Sequence, residues 1–192
     1  VSSNTSGIPL AAIADGLSAD FRAHWLGTHF FNPPRYLRLL EVIPTPDTDP
    51  AVLARVAWFC DHRLGKGVVV AKDTPSFIAN HIGIYAVMQT LKGLTSGAFT
   101  IEEIDAITGP ATGKAKSATF RTLDVVGLDV LAHVARDMTQ RLDDASARAV
   151  FALPPLVEQM LEKKLLGEKT GQGFYRREKG AGGASEILTL DP

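Results

Sequence analysis

The sequence predicts an α/β part over residues 1–73, followed by an all-α part over residues 74–192. Three observations carry this expectation. Short β-prone runs alternate with helical periodicity in the first part, and the composition changes at "KDTPSF" (72–77). Beyond that stretch apolar residues recur at helical spacing, with no convincing strand.

The elements follow in order. "VSSN" is strand-like, and "IPLAAIADGL" is a short helix with Ser6 as its candidate N-cap. "AHWLGTHFF" is apolar and β-prone. "RYLRLLEVI" alternates in part, with Tyr36, Arg38, Leu40 and Val42 on one face and Leu37, Leu39, Glu41 and Ile43 on the other. A carboxylate, Glu41, therefore falls on a mostly apolar face. In "TDPAVLARVAWFCDHRLGKG", Asp49 is the expected N-cap, Pro50 fits the first helical position and Gly65 is a stop signal. Val52, Val56 and Phe59 carry the helical spacing, and "VVVA" is then a short buried strand. The second part begins with an apolar helix over 76–92, with Ile78, Ile82, Tyr85 and Met88 on one face. Thr100 and Glu103 form a capping box. Helices are expected over 117–126 and 128–142, separated by Gly127, and near 154–166 behind Pro154 and Pro155. "RREKGAGGASE" (176–186) reads as a polar, glycine-rich linker.

Bulk properties narrow the function classes. The 192 residues can bury a sizeable core in one domain or two small ones. Twenty basic residues nearly balance 21 acidic ones, which argues against a nucleic-acid or membrane field over the whole surface. Cys60 is the only cysteine, so no internal disulfide forms and a reducing, cytoplasmic compartment is expected. No apolar run reaches the roughly 18 residues of a transmembrane helix, and no signal peptide is visible. Position 1 is valine, and "VSSNTSG" reads as a strand entering a turn, so a start inside a larger protein is expected.

Several motifs fail on spacing. "GPATGKAKS" (109–117) has three residues between its glycines, lacks a preceding strand and places alanine after Lys114, so it is no phosphate loop. "GAGGAS" breaks the G-x-G-x-x-G pattern at Ser185. His24 and His29 are five apart with no second His/Cys pair nearby, which disfavours zinc.

The chemistry concentrates around "GTHFFNPP" (27–34). His29 ends one expected strand, and Glu41 lies twelve residues later on the next. A turn between them brings an imidazole, whose proton affinity suits general-base work, beside a carboxylate that can fix its tautomer. Asn80 falls on the first turn of the helix after the boundary, and Ser6 in a turn after the first strand, where α/β ligands usually bind. Each residue also has a plainer reading: a packed core histidine, a strand-edge charge, a helix cap at Ser6 and a local turn bond at Asn80.

"HFFNPPRYLRLLEV", "KDTPSFIAN" and "KTGQGFY", in that order and spanning nearly the whole chain, resemble the 3-hydroxyacyl-CoA dehydrogenase family. "GTHFFNPPRYLRLLEVIPTPDTDP" and "KSATFRTLDVVGLDVLAHVARD" look closest to long bacterial β-oxidation proteins that join a dehydrogenase to an enoyl-CoA hydratase. The resemblance implies oxidation of (3S)-3-hydroxyacyl-CoA to 3-oxoacyl-CoA with NAD. It implies a Rossmann-type domain, here its distal part over residues 1–73, followed by a helical domain over 74–192 that forms a homodimer. It further implies His29 as catalytic base and Glu41 as its partner. Ser6 and Asn80 become substrate contacts, and Ser6, Asn32 and Lys169 cofactor contacts.

The chain departs from the family in one respect. A glycine fingerprint should open the first strand–helix turn of the nucleotide domain, and none is present in these residues. A fragment is expected, with an incomplete NAD site and no measurable activity by itself. A helical dimerisation module without catalysis is the alternative. A related dehydrogenase using a lysine base on a helix is a third reading, and the His29–Glu41 strand pair argues against it.

Overall fold

The computed structural model describes residues 1–179 and 185–191. By internal contacts the chain divides into two units, Val1–His81 and Ile82–Pro192.

The first unit is a four-stranded mixed sheet in the order β1 (Ser2–Ser3), β2 (Leu26–Phe30), β3 (Leu39–Pro44), β4 (Gly67–Val70). β1 runs parallel to β2, β3 antiparallel to β2, and β4 parallel to β3. Helices α1 (Leu10–Ile13) and α2 (Ala19–Ala23) connect β1 to β2, and α3 (Pro50–His62) connects β3 to β4. On one side Leu10, Ala14, Trp25, Ile43, Ala71 and Phe77 form a buried cluster. The buried indole of Trp25 donates to the Leu10 carbonyl at 2.9 Å, so this aromatic leaves no polar group unpaired. A Cβ on Gly27 would lie 2.6 Å from Leu10 and 3.1 Å from Ile43, which is why the strand carries glycine there. A separate cluster joins Leu26, Leu40, Val42 and Cys60 to Val52, Leu53 and Val56 of α3.

Asp49 caps α3 as expected, accepting from the Ala51 amide at 2.7 Å, with Pro50 at the first position. Other expectations need correction. Ser6 is no N-cap: α1 begins only at Leu10, behind Pro9, without a side-chain cap. Phe59 is half exposed, because the inward stripe of α3 runs through Val52, Leu53, Val56 and Cys60. "VVVA" is not a buried strand. β4 is an edge strand whose Val69 and Val70 stand open, and only Val68 reaches the α3 cluster. The strand expected from residue 35 starts at Leu39, leaving 31–38 as an irregular loop.

Helix α4 (Ala79–Thr95) begins in the first unit and supplies core residues to the second. There it is joined by α5 (Ile101–Thr108), α6 (Phe120–Val126), α7 (Leu128–Arg141), α8 (Ala145–Val150) and α9 (Pro155–Glu162). Leu128, Leu131, Ala132, Ala135 and Met138 give α7 a buried stripe at helical spacing. Its neighbours in the core include Leu91, Phe120, Phe151, Val157 and Phe174. On α4 the buried residues are Met88, Leu91 and Leu94, whereas Ile78, Ile82 and Tyr85 are exposed. The sequence expectation had placed Ile78, Ile82 and Tyr85 on the face of Met88. The stripe that packs in the second unit starts farther along, with Ile84 and Val87 beside the core.

Thr100 and Glu103 complete both bonds of the capping box. Thr100→Ala is expected to lower unfolding stability by about 0.5–2 kcal/mol, read as a shift of the urea midpoint at constant slope. Helix α8 was not anticipated. Asp144 caps it, and the Ser146 hydroxyl together with the Ser146 and Ala147 amides holds the Asp144 carboxyl below the usual carboxylate range. The expectation of no strand after the boundary is also wrong. Strands β5 (Tyr175–Lys179) and β6 (Ser185–Thr189) pair antiparallel, so both ends of the supposed linker 176–186 are strand. Its "GAGG" centre lies outside the described residues.

Two carboxylates tie these elements together. Asp105 accepts from the Thr119, Phe120 and Arg121 amides at the start of α6 and from the Tyr175 hydroxyl. Asp124, 3% exposed, accepts from the Phe174 and Tyr175 amides at 2.9 and 2.8 Å. Burial pushes the Asp124 carboxyl up, and these two amide bonds offset part of that rise.

Candidate active site

The cross-strand register decides the site. His29 on β2 stands directly opposite Glu41 on β3. Directly opposed residues of an antiparallel pair carry Cβ atoms roughly 4.5–5.5 Å apart on one face, within reach of a side-chain bond. His29 Nδ1 lies 2.8 Å from Glu41 Oε2, with 8% of the histidine side chain and 1% of the glutamate exposed.

A buried carboxylate demands partners for both oxygens. The second oxygen of Glu41, Oε1, accepts from the backbone amides of Ile78 at 3.0 Å and Ala79 at 2.8 Å. These amides open α4, where the first N–H groups have no partner inside the helix. Helix start and imidazole therefore share one carboxylate. This resolves the oddity seen in the sequence, a glutamate on an apolar strand face.

Bonding to Glu41 makes Nδ1 the donor nitrogen of His29 and leaves Nε2 with a free lone pair, the form a general base requires. The ring is held edge-on by Phe31, 4.6 Å between centroids, and by Phe77 at 5.4 Å. Phe77 reaches it through a turn in which Ser76 (φ 61°) and Phe77 (φ 52°) both adopt left-handed backbone. That conformation favours glycine and is strained for other residues. The same turn aims the Ile78 and Ala79 amides at Glu41. Ser76→Gly is expected to raise stability by about 0.5–1 kcal/mol, the strain relieved exceeding the added backbone freedom of the unfolded chain. Chemical denaturation would measure it, with the His29 ring resonances unmoved.

The remaining candidates are dispersed. Ser6 lies in the bend after β1, half-buried, and Asn80 on the first turn of α4, also half-buried. Neither bonds to His29 or Glu41, and neither side chain has a hydrogen-bond partner among the described residues. Asn32 is exposed in the 31–38 loop. Lys169 belongs to the second unit, in the 3₁₀ turn Glu168–Thr170, where its ammonium pairs with Asp129. Sequence reasoning missed the contribution of Phe31, Phe77 and the two α4 amides. The pertinent signal was "KDTPSFIAN" itself, a proline-led turn into a helix that starts one residue before Asn80.

Residues 1–74 match the family model described as 3-hydroxyacyl-CoA dehydrogenase, NAD binding domain. Residues 77–177 match 3-hydroxyacyl-CoA dehydrogenase, C-terminal domain. A Bacillus subtilis protein named probable 3-hydroxyacyl-CoA dehydrogenase is 53% identical over 192 residues, which are 100% of this chain and 24% of that protein. A Deinococcus radiodurans protein of the same name is 48% identical over 179 residues, 93% of this chain and 51% of its own length. The crystal structure of Mycobacterium tuberculosis FadB2 superposes with a TM-score of 0.79 at 33% identity, covering 91% of this chain and 59% of that one. The chain thus spans between a quarter and about half the length of these curated relatives.

Proposed function

Because the chain belongs to the 3-hydroxyacyl-CoA dehydrogenase family, we propose that it carries the proton-transfer half of an NAD-dependent oxidation of (3S)-3-hydroxyacyl-CoA to 3-oxoacyl-CoA in fatty-acid β-oxidation. The observation that supports this most is the buried His29–Glu41 bond, which leaves Nε2 unbonded to Glu41. In this reading residues 1–73 are the distal part of the Rossmann-type nucleotide domain and 74–192 the helical domain.

Alcohol oxidation at C3 releases a proton and a hydride. Nε2 of His29 accepts the hydroxyl proton, and Glu41, anchored by α4, stabilises the imidazolium that forms. Ser6 and Asn80 supply hydrogen bonds that hold the substrate oxygen in line. NAD, when bound, supplies the acceptor for the hydride. The donors present fit its nicotinamide end: Ser6 and Asn32 follow the carboxyl ends of the parallel strands β1 and β2, where α/β folds bind ligands. Both side chains are without a hydrogen-bond partner among the described residues. The family reading also counts Lys169 as a cofactor contact; within the second unit its ammonium is bonded to Asp129.

The test is ligand binding at the dyad. Acetoacetyl-CoA, the product of the four-carbon substrate, is expected to shift the His29 ring resonances of the protein, whereas free acetoacetate at equal concentration leaves them in place. Identical spectra with and without the thioester would sink the assignment. The helical unit is proposed to form a homodimer, supported by half-exposed Ile107, Val125, Val126 and Val130, and light scattering reads the outcome. No helix among the described residues is long and apolar enough to cross a membrane. A cytoplasmic site is proposed on the single, unpaired Cys60.

A further inference from the structure

The Lys66 ammonium is buried, with 8% of the residue exposed, and no carboxylate pairs with it among the described residues. A buried cation without a counter-ion is unfavourable unless its hydrogen bonds are well met. Lys66 meets them with backbone. Nζ donates to the Pro34 carbonyl and, at 2.7 Å, to the Leu37 carbonyl, and it stands 5.8 Å from the Phe30 ring centroid. The next amide, Gly67 N–H, donates to the Arg38 carbonyl at 2.8 Å. The Lys66 amide itself is fixed to the Cys60 carbonyl at the end of α3.

The acceptors of Nζ and of the Gly67 amide all lie in the loop 31–38, which leaves β2 directly after His29 and Phe30. This loop has almost no core of its own, since Tyr36 is 75% and Leu37 44% exposed. Besides the bonds from Lys66 and Gly67, its backbone bonds among the described residues are the local ones from the Tyr36 and Leu37 amides to the Pro33 carbonyl. At its near end sit Phe31, edge-on against the His29 ring, and Asn32. We infer that Lys66 is a positioning residue for the dehydrogenase site: it clamps the 31–38 loop to the end of α3, and so holds Phe31 against His29 and Asn32 on the cofactor side. A lysine suits the task because three N–H donors on a long stem can collect carbonyls from separate turns of a loop. The inference rests on the functional reading above, but its primary readout does not.

Amide hydrogen exchange on Lys66→Met tests it. This variant keeps the stem and removes the donors. Exchange at Tyr36 and Leu37 is expected to accelerate by about tenfold or more, while the paired amides of β2, β3 and α3 keep their protection. The contact between the Phe31 and His29 rings, read by NMR, should weaken with it. Lys66→Ala should regain protection in the loop with propylammonium, which replaces the missing stem and donors, and not with tetramethylammonium at equal ionic strength. In turnover assays of an intact enzyme that joins this chain to a complete nucleotide domain, the KM for NAD should rise several-fold with kcat changed less. Unchanged exchange at Tyr36 and Leu37, or an equal rise across strands, helix and loop, would overturn the clamp. Loosened exchange with an unaltered KM and kcat would overturn its link to the site. Failure of acetoacetyl-CoA to perturb His29 would instead count against the functional reading and leave the exchange result standing.

Discussion

In an intact enzyme that joins this chain to a complete nucleotide domain, replacing His29 with glutamine is expected to lower dehydrogenase turnover by about 10²–10⁴-fold, the usual worth of a positioned general base. Glutamine has similar reach and keeps a donor for Glu41, so the sheet should persist and circular dichroism should match the parent. The companion substitution, Glu41→Gln, discriminates further. Glu41 accepts hydrogen bonds on both oxygens, from His29 on one side and from the Ile78 and Ala79 amides on the other. A side-chain amide has one oxygen and one NH₂ group, and cannot accept on both sides. If its oxygen serves the α4 amides, its NH₂ faces Nδ1 and drives the proton to Nε2, which removes the base. If it faces His29, two helix amides meet an NH₂ group. Either way a loss comparable to His29→Gln is expected, followed as NADH formation with a (3S)-3-hydroxyacyl-CoA. Near-parental turnover in either variant would refute the proton path.

Gly173→Ala is expected to destabilise the helical unit by about 3 kcal/mol, the upper range for overpacking a close-packed interior. Spread over a domain of this size, that lowers Tm by roughly 10 °C. An added Cβ would lie 2.7 Å from both the Asp124 Cγ and the Gly167 Cα, and closer still to Asp124 Oδ1. Asp124 cannot turn aside without giving up the Phe174 and Tyr175 amides. Gly167 is equally confined, with φ 105° and the Asp124 backbone against it. Of the glycines of "KTGQGFY", Gly173 is therefore explained by close approach to Asp124 and Gly171 by its left-handed φ of 79°, while the lysine closes on Asp129. Thermal unfolding of the variant gives the answer, and an unchanged Tm would show that the turn has slack. Acidity adds a signature. Burial raises the Asp124 carboxyl, so the folded chain takes up this proton at higher pH than the unfolded chain does. Its contribution to stability grows as pH falls from that raised value toward the ordinary carboxylate range. Asp124→Asn should abolish that contribution.

Much of this was legible from local chemistry. Asp49 with Pro50, and Thr100 with Glu103, act over three residues or fewer, and both helix starts stand where those residues put them. His29 and Glu41 were legible as a pair because strand periodicity and a family motif pointed to the same positions. Elements whose burial depends on distant partners were misjudged. "VVVA" has a core strand's composition, yet its place at the sheet edge leaves two valines open. On α4 the residues 78, 82 and 85 share helical spacing with Met88, and spacing cannot say which stripe finds a core. The β5–β6 hairpin was hidden because a glycine-rich stretch separates its strands and neither carries a tight-turn signal.

By itself the sequence determined the starts of α3 and α5 and the facing of His29 and Glu41, since each follows from side-chain chemistry within a few positions or from a motif. Only the tertiary structure decided that Glu41 is shared between an imidazole and a helix start, that a strained Ser76–Phe77 turn delivers both the amides and an aromatic wall, and that Lys66 sits beneath the loop after His29. Those depend on register and on backbone groups brought together across some 30 to 40 residues of chain, and backbone donors and acceptors are the same at every position of a sequence until folding places them.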